Sequence, residues 1–371
     1  MDKAEGIFAA KADGLAAPAR LGWIDAAKGF SILLVVLLHV SGWFNTDIHP
    51  ESFVFWHEFS AIFTPLRMPL FFFVSGFLAF SALRKPLTAS YPKIFGLYFI
   101  YLFWTAAYLL RTLHPALRGG HPAPDPLGYL ASLFLPTAFW YIWALPLLYL
   151  LAWLLHRAFG KNAVWVLVPA FALAWAYEPI LAATQGLLSP PLAMVMLESV
   201  ASNAIWFFLG MYLRDPWKRV IGSANLTKAL SGGLAYLIIA VAMVNYGVDA
   251  KISKLVIAPL ALWVSAQFLG ALNFDTLPGR VVSAVGRFTL PVYIFHLFGI
   301  AILSGLVKAT GINTYLNAAG AGSSTILIPI ITLLLVALSY AAGMIIRSSP
   351  FRALIVPPSF QRQQVRQESL A

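Results

Sequence analysis

The 371-residue sequence contains no cysteine. Disulfide frameworks, thiolate-held zinc, iron–sulfur clusters and thiol nucleophiles are thereby excluded, and cysteine usage assigns no redox compartment. Charge is scarce as well. Asp, Glu, Lys and Arg make up 11% of the residues, where an ordinary soluble domain carries about 25%, and this rules out a soluble globule. No internal repeat is visible, and no pair of glycine- or proline-broken apolar segments stands in matching positions in the two halves. That weakens a reading as a repeat-built secondary transporter. What fills the chain is apolar: 60% hydrophobic and 15% aromatic residues, including 12 Trp, 28 Phe and 14 Tyr. Repeated stretches of about 20 such residues predict an all-α, polytopic integral membrane protein.

Ten apolar windows fall at 24–44, 57–82, 93–111, 139–158, 163–182, 193–213, 228–247, 252–273, 286–308 and 322–347. They divide the chain into an N-terminal arm over 1–23, a ten-helix membrane domain over 24–347 and a polar tail over 348–371. The arm is too polar for a cleaved signal peptide, because no apolar core follows its lysines before the first full window. With the N-terminus inside, the inner segments hold 19 of the 25 Lys and Arg. The outer segments hold five, Arg111, Arg118, Lys251, Lys254 and Lys308, and Arg67 lies within a window. This positive-inside asymmetry predicts that both termini face the cytoplasm of a cell membrane, inner or plasma. It also accounts for the net charge of +11 with no nucleic-acid partner.

Polar groups placed in hydrocarbon carry a cost, so they mark where chemistry is expected. Lys28 and His39 in the first window are three helical turns plus about 20° apart, hence on one face and about 16 Å apart along the axis. Asp25 joins that face one turn before Lys28. The lysine is either an interfacial anchor paired with Asp25 or a ligand for an anion. The lone imidazole is either an interhelix hydrogen bond or a general base. The second window carries Arg67 between Pro65 and Pro69, which loosen the helix around it, with Ser75-Gly76 further on, a pair that allows close packing of another backbone. Counting up from Arg84, Ser75 lies about 13 Å and Arg67 about 25 Å into the membrane region, so Ser75 is expected near the depth of His39. A buried guanidinium suits an anionic ligand or developing negative charge, unless it snorkels to the outer interface.

Trp23-Ile24-Asp25 with Lys28-Gly29 and His39, followed by Arg67-Met68-Pro69-Leu70-Phe71-Phe72-Phe73-Val74-Ser75-Gly76-Phe77, resembles the membrane acyltransferase 3 family, especially its sugar O-acetylase branch. Further matching segments are Phe139-Trp140-Tyr141-Ile142-Trp143-Ala144-Leu145-Pro146, Phe207-Phe208-Leu209-Gly210-Met211-Tyr212-Leu213 and Gly286-Arg287-Phe288-Thr289-Leu290-Pro291-Val292-Tyr293-Ile294-Phe295-His296. The resemblance implies about ten spans. It also implies transfer of an acyl group, usually acetyl from acetyl-CoA, to a hydroxyl of a cell-surface or lipid-linked carbohydrate. The basic-x10-His pair essential to that family corresponds to Lys28 and His39, and many members carry Arg where Lys28 stands. No appended extracytoplasmic hydrolase-like domain follows the last window, so the chain is expected to act alone or with separate glycan-assembly proteins.

Such a transfer needs a base for the acceptor hydroxyl, stabilisation of a tetrahedral oxyanion and a place to hold two substrates. His39 is the expected base or transient acyl carrier, with Arg67 and Ser75 beside it as the other catalytic candidates. Lys28, Arg84, Lys85, Lys93 and Arg287 are the candidates for the phosphates of acyl-CoA, although positive-inside bias explains each of them singly. Trp140, Tyr141, Trp143, Glu178, Tyr293 and His296 are the candidates for the acceptor, although an interfacial aromatic belt and structural hydrogen bonds explain most of these equally. Glu198, Asp47, Glu51 and Glu58 are further carboxylates for acceptor hydroxyls or for balancing His39, and Asp47, Glu51 and Glu58 lack the tight spacing that the metal site of a lipid-linked-sugar glycosyltransferase would want. No metal is expected. A multi-pass transporter or exporter of small molecules is the competing reading, since it too would use an intramembrane His and Arg.

Overall fold

The computed structural model describes residues 22–48, 52–110, 130, 133–183, 191–318 and 320–356. The arm up to residue 21, Glu51, Arg111, Arg118 and the tail from 357 lie outside the described residues, as does the side chain of Lys93. The described chain is helical and contains no strand. In order the helices are α1 (Gly22–Asp47), α2 (Ser52–Ile62), α3 (Thr64–Leu83), α4 (Leu87–Leu110), α5 (Trp140–Phe159), α6 (Leu167–Ala183), α7 (Pro191–Tyr212), α8 (Arg214–Gly222), α9 (Leu226–Asn245), α10 (Ala250–Ala271), α11 (Leu277–Arg287), α12 (Thr289–Thr310), α13 (Ile312–Ala318) and α14 (Gly320–Arg347).

Every apolar window coincides with a long helix, and the second shows a difference. The window 57–82 is two helices, broken at Phe63, whose backbone carbonyl accepts from both Leu66 N and Arg67 N. Pro65 therefore opens α3, where its missing N–H costs nothing, and only Pro69 lies inside the helix. Among the described residues, eight stretches are by length and composition apolar enough to cross a membrane, or nine if the bent pair Met196–Tyr212 and Arg214–Gly222 is one span, against the ten windows of the sequence. One of the eight, Trp140–Ile180, is 41 residues long. It is interrupted by a 3-10 turn over Gly160–Val166 that starts at a positive-φ glycine. Along α7, Tyr212 donates to Ala152 O on α5, and Glu198 accepts from Tyr177 on α6. The chain-terminal parts of α5 and α6 thus meet opposite ends of α7, so the chain reverses direction at Gly160. The outward faces of the peripheral helices are apolar: Leu230, Leu234 and Ile238 on α9 and Leu333, Leu338 and Ile345 on α14 are exposed. In water this would be a severe exposure of hydrocarbon; against lipid it costs nothing.

The centre of the bundle is α1, which packs against α2, α3, α11, α12 and α14. Glycines allow two backbones to touch there and at α3. A Cβ on Gly286 would overlap the carbonyl of Asp25, and one on Gly29 would overlap that of Val282, so α1 and α11 meet backbone to backbone. The same reciprocity joins α3 and α7, with Gly76 against Phe207 O and Gly210 against Phe73 O. With no hydrophobic drive between helices in lipid, such close approach is a main source of association. The helices α1 and α3 also pack directly on each other.

Candidate active site

Helix α1 presents His39, half-buried, to the interior. Its Nδ1 lies 2.8 Å from Nε2 of His296, which is fully buried on α12. The two rings are stacked, 9° from parallel. His296 Nδ1 in turn stands 2.8 Å from the carbonyl of Val292, one turn back on the same helix. A carbonyl only accepts, so with both rings neutral the proton of His296 sits on Nδ1 and its Nε2 is a lone pair. That lone pair takes the proton on His39 Nδ1. The remaining nitrogen, His39 Nε2, is left unprotonated as the free basic end of a fixed chain.

The tyrosines continue the wall. Tyr293 is buried beside His296, with ring centroids 6.2 Å apart, and its hydroxyl donates to Ala138 O at 3.3 Å and accepts from Tyr141 N. The Tyr141 hydroxyl meets Ser75 Oγ at 2.5 Å. Ser75 gives its own proton to Phe71 O, so Tyr141 is the donor of that pair. Ser75 has no hydrogen bond to His39, and it lines instead an apolar cavity of about 110 Å³ with Leu78, Ile94, Leu145, Tyr149 and Phe207. Trp140 stacks on Phe72 at 5.6 Å, and Trp143 Nε1 donates to Phe134 O.

Arg67 is buried, and a nitrogen of its guanidinium donates to Ser60 Oγ on α2 at 2.8 Å. It lies within electrostatic reach of His39 and of Lys254. Lys254 donates to Ser202 Oγ on α7 at 2.7 Å. Among the described residues neither cation has a carboxylate within ion-pair distance; Glu198, bonded to Tyr177, acts on Lys254 from further away. Glu178 is committed elsewhere, to Lys251 at 2.7 Å. Asp47 ties α1 to α12 through Ser304 and through Lys308 at 3.2 Å, and accepts from Trp43 within α1.

At the other end of α1, Lys28 pairs with Asp25 at 3.1 Å; the Asp25 side chain is 4% exposed and that of Lys28 21%. Arg287 closes α11 right after Gly286, whose backbone touches Asp25. Arg84 and Lys85 are exposed at the end of α3. Arg214, which the sequence offered only as one charge among the inner 19, lies over Phe77 and Phe80 at 5.0 and 5.3 Å. Arg84 shares the Phe80 ring at 6.0 Å, and Trp23 meets Phe77 edge-on. The structure therefore gathers Lys28, Arg287, Arg84 and Arg214 into a cationic rim toward the Gly22 end of α1, and His39 with its partner His296 lies further along the same helix. Lys254, Arg214 and the partnership of His296 with His39 were missed in the sequence. Lys254 did carry a signal, as one of five basic residues against the charge bias.

The family model described as an acyltransferase domain, acyltransferase 3, matches residues 21–345. No curated protein and no solved structure matches the chain.

Proposed function

Because the chain belongs to the acyltransferase 3 family, we propose that this membrane acyltransferase moves an acetyl group from cytoplasmic acetyl-CoA to a hydroxyl of a cell-surface or lipid-linked carbohydrate. The observation that carries the reading is the histidine chain, which leaves His39 Nε2 unprotonated on a half-buried face. In this reading the acceptor hydroxyl gives its proton to His39 Nε2 as its oxygen attacks the thioester carbonyl. The tetrahedral oxyanion then collapses, expels the CoA thiolate and returns the proton from the imidazolium to that sulfur. His296 does not touch substrate; it holds the ring of His39 and fixes which nitrogen is basic. Ser75, with its proton given to Phe71 O, holds the Tyr141 hydroxyl, lines the apolar cavity and takes no part in the relay.

Lys28, Arg84, Lys85, Lys93 and Arg287 supply positive charge for the coenzyme phosphates, with Arg214 added by its place beside Arg84. The phosphates stay at the inner rim while the thioester reaches His39, about 16 Å away along α1. The acceptor side takes Trp140, Tyr141, Trp143, Glu178 and Tyr293 as wall and mouth residues. The enzyme sits in the cell membrane, acting alone or with separate glycan-assembly proteins. The test is purified protein in proteoliposomes with acetyl-labelled CoA and an envelope glycan extract. Label should leave CoA and appear in carbohydrate; intact acetyl-CoA after prolonged incubation would overturn the reading.

A further inference from the structure

Arg67, buried, and Lys254, half-buried, are two cations on adjacent helices, each held by one serine hydroxyl and neither neutralised by an ion pair among the described residues. Keeping one such charge inside a bundle is costly, and two within reach of each other more so. The polar groups around them are incompletely satisfied as well. Asn203 Nδ2 donates to Ser202 Oγ, the partner of Lys254, while its Oδ1 is buried with no partner, an acceptor that calls for a donor such as a sugar hydroxyl and not for the anion itself. Trp56 Nε1, one turn from Ser60 on α2, and Trp206 Nε1, one turn from Ser202 and Asn203 on α7, are buried donors with no acceptor. Two cations and two orphan N–H donors are a surplus that one anion bearing several oxygens would meet.

Depth says which substrate brings that anion. Arg67 is about 4.5 Å and Lys254 about 6 Å from the starts of their helices, whereas His39 is about 12 Å from the end of α1 at Asp47. On the proposed topology these are the outer ends, so the cations lie outward of the base. Coenzyme phosphates held at the inner rim cannot reach them. We propose that Arg67 and Lys254 form an anion clamp for the acceptor, so that the acyl group goes to a carbohydrate bearing a carboxylate or a phosphate close to the hydroxyl that is modified. This rests on the acyltransferase reading for the word acceptor, while the anion site stands on its own geometry.

The test needs no acyl transfer. Full-length protein in detergent is titrated with glucuronate, glucose 1-phosphate and glucose, reading thermal stability and equilibrium dialysis of labelled sugar. An anionic sugar should bind and raise the melting temperature, glucose should not, and the responding anion identifies a carboxylate or a phosphate source. Arg67→Gln and Lys254→Gln should each weaken that binding about tenfold or more, while Lys254→Arg keeps the preference for the anion. Sugar-free Lys254→Gln should melt no lower than the parent, because it discards a half-buried charge that has no ion pair, which separates lost binding from lost folding. Equal response to all three sugars, no response to any, or an anion response that survives in the double glutamine variant would overturn the clamp. If anions bind but acetyl-CoA is never consumed, the acyltransferase reading fails and the clamp stands. If acetyl transfer occurs with no anion preference, the reverse holds.

Discussion

At the scale of single residues, the account turns on which nitrogen of His39 is free. His296→Leu removes the acceptor of the His39 Nδ1 proton and lets the ring turn. It should lower kcat by about 10- to 100-fold, with the KM for acetyl-CoA unchanged, since ring orientation matters to proton transfer and not to coenzyme binding. His296→Gln can still donate to Val292 O and accept from His39, so it should recover much of that loss. Steady-state kinetics of the pair decides it; equal rates in both variants would make His296 a packing residue. Lys28 belongs to the other step. Lys28→Ala should chiefly raise the apparent KM for acetyl-CoA, Lys28→Arg should be milder, and the alanine variant should also lose stability because buried Asp25 loses its Lys28 contact. A lost kcat with unchanged KM would instead couple Lys28 to the chemistry. His39 was legible in the sequence because an imidazole amid Ile32, Val35 and Leu38 has no apolar purpose. Its partner was not legible: His296 lies 257 positions away, and local periodicity says nothing about which helices become neighbours.

At the scale of helices, the segments that carry the family resemblance divide by the work they do. Gly76, Gly210 and Gly286 lie where another backbone passes too close for any side chain. Gly286→Val and Gly76→Val should each destabilise the fold by at least about 1–3 kcal/mol through overpacking, read as thermal unfolding in detergent. Gly42 also lies within a helix, with nothing near its missing Cβ. Gly42→Ala should be neutral or stabilise by up to about 1 kcal/mol. A valine at Gly286 tolerated as well as alanine at Gly42 would contradict the close crossing of α1 and α11. The Ser75-Gly76 pair suggested such a crossing from sequence, but not that Phe207 would be its partner. The break at Phe63 was hidden for a different reason. An apolar run reads the same whether one helix or two pass through it, and only the positions of the prolines hinted at the start of α3.

At the scale of the whole molecule, composition announced a helical membrane protein, and the apolar windows are helical, the second as two helices. Sidedness follows from charge: with 19 basic residues on the proposed inner segments and five on the outer, reporter fusions at positions 50 and 365 should report opposite sides of the membrane. The same side for both would break the count of ten crossings and the inward placing of the coenzyme rim. The two ends of one face of α1 lie at opposite ends of the bundle, and in the proposed reading that one helix links a cytoplasmic donor to an outward acceptor, with His39 between them. That arrangement is the central claim. Its most direct measurement is CoA release and label transfer by wild-type and His39→Ala protein, matched for amount and melting temperature, in the same proteoliposomes. The wild type should transfer acetyl to glycan, and the variant should be slower by about 10²- to 10⁴-fold. A His39→Ala protein that transfers acetyl at the wild-type rate would contradict it.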